Sequence, residues 1–221
     1  MGQTIRIKAA DGNEFSAYVA EPAGDRRGTV VVLQEIFGVN RHMRSVADRF
    51  AAEGYRAVVP ALFDRVERDV EMGYDQQSLE RGKALMAKIG IDEAVRDVAA
   101  AADWAKPDKV AVVGYCWGGT VAWAAATRLD GLSAAVSLYG GGVPGMAEET
   151  PNCPIQLHFG ETDQSIPMER VEAFRRTQPD LPVFIYPAGH GFACEERASY
   201  HEESDRLAHQ RAFEFLKEHL G

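Results

Sequence analysis

The run Val110-Ala111-Val112-Val113 passes directly into Gly114-Tyr115-Cys116-Trp117-Gly118-Gly119, and this junction limits the fold more than any other stretch. A continuous apolar run rich in β-branched residues reads as a strand buried on both faces, which belongs in a parallel sheet covered by helices. The small residues after it suit a tight turn into a helix. Glycines two positions either side of Cys116 give G-x-C-x-G, the form of the nucleophile elbow G-x-S-x-G with a thiol in place of the hydroxyl. Such a turn holds its nucleophile in a strained backbone conformation where bulky neighbours clash. The helix N-terminus also favours thiolate. By itself the stretch equally suits a small apolar cysteine in the Gly-rich turn of a flavodoxin-like or nucleotide-binding fold.

The remaining patterns fit a sheet of this kind. Residues 5–9 and 15–19 alternate around the turn Asp11-Gly12-Asn13, which predicts a hairpin. Strands are expected at 29–33, 56–59, 109–113, 132–138, 155–159 and 183–186. Helical spacing predicts helices at 41–53 with Gly54 as a C-terminal cap, at 78–88, and at 92–104 with Asp92 as the N-cap. Further helices are expected at 116–129, 168–177 and 205–220. Strands alternating with helices imply a mostly parallel sheet with helices on both faces, so ligands should collect at the carboxyl ends of the strands. No repeat, low-complexity segment or linker divides the chain, and a single α/β domain over residues 1–221 is expected.

Composition narrows the partners. A net charge of −9 argues against nucleic acid or an anionic membrane surface. No apolar run reaches the roughly 18–20 residues needed to span a bilayer. The N-terminus lacks a signal-like segment, and three unpaired cysteines suggest reduced thiols and a cytoplasmic location. Neither H-E-x-x-H nor a cysteine pair is present, so no metal and no cofactor are expected.

If Cys116 is a nucleophile, a base and an acid should follow later strands. Gly189-His190-Gly191 comes after the strand at 183–186, in a loop flanked by glycines. The other histidines have plainer readings: His42 opens a helix, His158 lies within a strand, and His201, His209 and His219 lie in or beside the last helix as solvated or capping groups. The acid should fall between nucleophile and base in the chain. Gly160-Glu161-Thr162-Asp163 follows the strand at 155–159 and offers Asp163, with Glu161 as its rival. The oxyanion hole would combine the N–H of Trp117 with one from the loop "QEIFGVN", that of Ile36.

Together "QEIFGVN", "GYCWGG", "GETDQSIP" and "GHGF" resemble the dienelactone hydrolase (carboxymethylenebutenolidase) family, over nearly the whole chain. The resemblance implies an α/β-hydrolase fold and a Cys116–His190–Asp163 triad that cleaves a lactone or small ester through a thioester. It also implies that Glu35 binds the resting thiol and is displaced by substrate, and that Phe37 lines the pocket. Family arginines that hold a substrate carboxylate have weak counterparts. Cys194 stands four residues after the histidine, with Arg197 three further on. In "SLERGKAL" the ungapped match falls on Leu79, with Arg81 two places off, and Lys83 stands where an aromatic hydroxyl is expected. The partner is thus a small molecule, and dienelactone itself does not follow; the oligomeric state is left open, a monomer being compatible. Rival readings are a thiol redox protein using Cys153 or Cys194, a broad-specificity carboxylesterase, and a non-catalytic binding domain.

Overall fold

The computed structural model describes residues 2–221. Eight strands form one sheet in the order β1-β2-β4-β3-β5-β6-β7-β8. The hairpin β1 (Gln3–Lys8) and β2 (Glu14–Ala20) is antiparallel, and β2 pairs antiparallel with β4 (Arg56–Pro60). From β4 onward every pair is parallel, through β3 (Thr29–Leu33), β5 (Val110–Tyr115), β6 (Ala134–Leu138), β7 (Ile155–Gly160) and β8 (Val183–Tyr186). The strands β3, β5, β6 and β7 are buried at every residue, as befits their largely apolar sequences, with Ser137, Gln156 and His158 as buried polar members of β6 and β7.

The chain leaves β3 towards β4 by way of helix α1 (Arg41–Ala52), and leaves β5 in the opposite direction towards β6 by way of helix α4 (Trp117–Arg128). Right-handed crossovers that run in opposite directions put α1 and α4 on opposite faces of the sheet. Between β3 and β5 the strand order therefore switches direction, and a crevice opens at their carboxyl ends. The loop carrying Glu35 and the turn carrying Cys116 both start there. No helix among the described residues is long and apolar enough to cross a membrane.

Several boundaries differ from the sequence expectations for local reasons. Helix α3 (Ile91–Trp104) starts from Gly90, whose N–H donates to Glu93 Oε2 at 2.7 Å, so Asp92 is not the cap. Helix α2 (Gln76–Met86) begins earlier than expected because Asp75 accepts from the Ser78 N–H at 2.8 Å. The last helix, α6 (Glu202–Leu220), begins at a cap formed by His201, whose Nδ1 accepts from the Ser204 N–H. Helix α5 (Met168–Thr177) has the expected bounds. Short 3-10 turns at Leu62–Arg65 and Val143–Met146 were not foreseen.

Candidate active site

The elbow is built by close approach. A Cβ on Gly114 would lie 1.9 Å from the Gly118 carbonyl oxygen, and one on Gly118 would lie 2.3 Å from that of Leu33. Only glycine at both positions lets β5 turn into α4 so near to β3. Cys116 sits at the apex with φ +55°, a conformation that L residues seldom adopt. Its N–H donates to Leu138 O at 3.0 Å, and the Gly118 N–H donates to Gln34 O at 3.0 Å. The second bond ties the turn to the loop that carries Glu35.

His190 reaches this thiol from the loop after β8. Its Nε2 is 3.2 Å from Cys116 Sγ and its Nδ1 is 2.7 Å from Asp163 Oδ2. Asp163 is buried, and its other oxygen accepts from the N–H groups of Ser165 (2.7 Å) and Ile166 (3.2 Å). Four hydrogen-bonding relations thus fix one carboxylate and one ring. Glu161, the alternative acid, is exposed and touches neither. Burial opposes the charged form of His190, but its hydrogen bonds with Asp163 and Cys116 outweigh that and hold its pKa up to about 10. Ser199 Oγ donates to His190 O at 2.7 Å and fixes the loop, while the Tyr139 ring stands edge-on to the imidazole at 5.3 Å.

On the other side of the thiol the structure corrects one implication of the resemblance. Glu35 is fully buried, yet it does not bind Cys116: its Oε1 accepts from Arg197 Nη1 at 3.1 Å. A guanidinium offers a buried carboxylate a charge-assisted bond that a neutral thiol cannot match. Arg197 itself lies over the rings of Phe37 (5.7 Å) and Tyr74 (5.9 Å) and packs on Gly191. A Cβ at Gly191, φ +75°, would fall 2.5 Å from Arg197 Nη1.

A cavity of about 440 Å³ opens above Cys116 and His190. Its walls are mainly apolar, from Phe37, Leu79, Met86 and Trp117, with the cations Lys83 and Arg197 among them. Ile36 and Trp117 both border it, and neither backbone N–H has a partner within the described chain. Two of the expected substrate-binding residues lie elsewhere. Arg81 points away from the cavity and pairs with Glu67 on the surface. Cys194 is fully buried near Tyr74 and does not line the cavity. One ligand atom each from Glu35, His42 and Cys194 lie within 4.8 Å of one another.

His209 also departs from its sequence reading. It is buried, with Nδ1 2.6 Å from Asp205 Oδ1 and Nε2 2.9 Å from the Tyr115 hydroxyl. The charge of Asp205, shared with Arg49, draws it inward. His158 is buried as its strand position suggested, bonded to the Tyr186 hydroxyl at 2.8 Å. Sequence reasoning missed Tyr74 and Tyr139 as neighbours of the site, and the partly exposed surroundings of Tyr74 carry no signal of it.

A mostly parallel sheet, a crevice at its switch point and a cysteine on a strained strand-to-helix turn define an α/β hydrolase. The sequence profile of the Dienelactone hydrolase family matches residues 15–220, and the chain belongs to that family. It is 36% identical to "Putative carboxymethylenebutenolidase" of Synechocystis sp., over 94% of this chain and 93% of that one. It is 31% identical to "Carboxymethylenebutenolidase" of Pseudomonas putida, over 96% and 94% of the two chains. The crystal structure of a "Putative Dienelactone Hydrolase" from Klebsiella pneumoniae superposes with a TM-score of 0.85 at 30% identity, covering 97% of this chain and 98% of that one.

Proposed function

We propose that this hydrolase cleaves a lactone or small carboxylic ester with Cys116 as nucleophile, His190 as base and Asp163 as the acid that orients it. The observation that carries this reading is the unbroken line Cys116 Sγ–His190 Nε2 (3.2 Å) and His190 Nδ1–Asp163 Oδ2 (2.7 Å) on the floor of the cavity. With His190 held basic, the thiol proton passes to Nε2 and the thiolate attacks the substrate carbonyl. The N–H groups of Ile36 and Trp117 face the oxygen that gains charge. Collapse of the tetrahedral intermediate expels the alkoxide, which takes the proton from His190. A water deprotonated by His190 then attacks the thioester, and the acid leaves with Cys116 regenerated.

Arg197 is the cation suited to a substrate carboxylate, because it stands on the cavity wall beside the thiol and already holds a carboxylate, that of Glu35. An anionic substrate would compete for it and free Glu35, which could then turn to the thiol. Of the two family positions considered, Arg81 is turned away, and Cys194 has no access to the cavity. Apolar walls of modest volume suit a small substrate. The cytoplasm and a single-domain monomer remain part of this reading.

A redox role finds less support. Cys153 and Cys194 are buried, and burial pushes their thiols up to about 11 and about 12, so neither offers a resolving thiolate. Cys116→Ala is expected to abolish turnover of an aryl ester while leaving the circular dichroism spectrum intact. Acyl-enzyme trapped on Cys116 by mass spectrometry would support the thioester; full activity in a folded Cys116→Ala protein would remove the proposal.

A further inference from the structure

Three buried side chains of different ligand type come together near Arg197. Glu35 comes from the loop after β3, His42 from the first turn of α1, and Cys194 from the loop after β8. All three are buried, and one ligand atom from each lies within 4.8 Å of the others. Two of these residues carry an atom that the protein leaves unsatisfied: Glu35 Oε2 and His42 Nε2 are buried without any hydrogen-bond partner. Leaving a buried carboxylate oxygen and a ring nitrogen unpaired is costly, and an occupant that accepts both lone pairs removes the cost.

The surroundings of the three groups have the form of support for metal ligands. Oxygen Oε1 of the same carboxylate accepts from Arg197 at 3.1 Å, which orients Glu35 and leaves Oε2 for another partner. Tyr74 neighbours Cys194. The Tyr74 hydroxyl in turn accepts from Asn40 Nδ2 at 3.2 Å. Asn40 also caps α1, its Oδ1 accepting from the Met43 N–H at 3.1 Å, and so sets the start of the helix that carries His42.

We propose that Glu35, His42 and Cys194 form a site for a thiophilic divalent cation of the Zn²⁺ class. One carboxylate oxygen, one imidazole nitrogen and one thiolate match the mixed donor set that such ions take, with a fourth position left for water. Binding is M²⁺ plus the Cys194 thiol giving the metal thiolate and one released proton, so the site gains a single net positive charge. Ligand atoms around a tetrahedral ion with bonds of about 2.0–2.3 Å lie roughly 3.3–3.8 Å apart, so the present spacing, within 4.8 Å, closes by up to about 1.5 Å. Occupation would hold Glu35 in its Arg197-paired position and pin the loop after β8 to α1.

The test measures binding directly. Zn²⁺ is titrated calorimetrically into the chelator-treated full chain, and Co²⁺ is added separately to read its absorption. Cys116→Ser, Cys194→Ser and His42→Gln are compared with wild type, because Cys116 and His190 are a second thiol–imidazole pair that could capture the metal. One ion per chain is expected in wild type and in Cys116→Ser, with a thiolate-to-cobalt charge-transfer band and intense tetrahedral bands. The melting temperature should rise with Zn²⁺ and fall back with chelator. Cys194→Ser should lose the charge-transfer band, and both it and His42→Gln should bind Zn²⁺ more weakly by on the order of 100-fold, since lost ligands cost at least as much as lost supporting groups. If Cys194→Ser does not fold, His42→Gln and Cys116→Ser still decide the matter. Absence of binding in wild type would overturn the site, as would binding lost in Cys116→Ser and kept in His42→Gln.

Discussion

Two histidines, His190 partly exposed and His42 buried, each stand near a buried carboxylate, and they are driven in opposite directions. His190 has Asp163 at 2.7 Å and Cys116 at 3.2 Å, and its pKa is held up to about 10. His42 is within reach of Glu35, but that carboxylate is engaged by Arg197, no hydrogen bond joins the two, and burial lowers the His42 pKa. Proximity to an acid therefore does not make a basic histidine. A directed hydrogen bond from a carboxylate with no competing cation does. On one side of the thiol a ring is held between a carboxylate and a sulfur, and on the other a ring nitrogen and the second oxygen of Glu35 are left without a hydrogen-bond partner.

The largest expected effect comes from breaking the basic side. Asp163→Asn keeps the shape but presents the imidazole with the wrong partner, and should lower kcat by about 10⁴-fold, the scale for a triad acid. Glu161→Gln should change kcat less than about 2-fold, because surface substitutions away from the site have small effects. Steady-state rates on a neutral aryl ester decide between them. If Glu161→Gln were the more damaging, the acid would be misassigned.

The second effect converts one side towards the other. Arg197→Met removes the cation from Glu35 and leaves a buried carboxylate looking for a partner, for which His42 is within reach. The His42 ring resonances should then titrate at higher pH than in wild type, as followed by NMR. The same variant should lose discrimination for a carboxylated lactone over its neutral ester by roughly 10- to 150-fold in kcat/KM, the scale of one charge-assisted bond. An unchanged preference for the anion would mean that Arg197 is not the cation it meets, and would turn attention to Lys83.

The contrast also explains which parts of the site were legible in the sequence. Cys116, Asp163 and His190 each follow a strand of a parallel sheet, so order along the chain and flanking glycines were enough to single them out. Glu35, His42, Tyr74, Cys194 and Arg197 meet by packing of loops and helices, and spacing in the sequence carries no record of that meeting. Arg197 reaches the cavity wall because the short turns after His190 bring it back over Gly191: the Cys194 N–H donates to Gly191 O at 3.1 Å and the Arg197 N–H to Cys194 O at 3.0 Å. The strands were legible because a run buried on both faces is largely apolar, and the polar members Gln156 and His158 of β7 are buried only with hydrogen-bond partners. Helix starts were less so, because Asp75, Gly90 and His201 act as caps through local hydrogen bonds that several neighbouring residues could equally have made.

The third expectation concerns pH. His158 is fully buried and burial lowers its pKa to about 3, against about 6.5 when unfolded. Between these values the unfolded chain binds the extra proton, so stability falls as pH drops below about 6.5, by roughly 2 kcal/mol at pH 5 from this group. His190 has the opposite sign: its contribution is full below about pH 6.5 and is lost as pH rises through about 10. Urea unfolding from pH 8 down to pH 4.5 should show the acid loss in wild type and a flatter limb in His158→Gln. An equally steep limb in the variant would assign the acid sensitivity to other groups.

The smallest effect is expected at Arg81, and it tests whether the cavity wall is complete as described. Arg81 lies on α2 two residues from Leu79 and from Lys83, which both line the cavity, so it falls on the other side of the helix, where its side chain is 51% exposed and is paired with Glu67. An exposed ion pair contributes about 0–1 kcal/mol, because water screens it and two long side chains lose freedom to hold it. Arg81→Ala should therefore shift stability by no more than about 0.5 kcal/mol and alter kcat/KM for a carboxylated lactone by less than about 2-fold. The neutral ester should respond in the same way. A 10-fold loss confined to the anionic substrate would show that α2 turns on binding, exchanging the Glu67 carboxylate for that of the substrate, and the clamp would then be shared with Arg197.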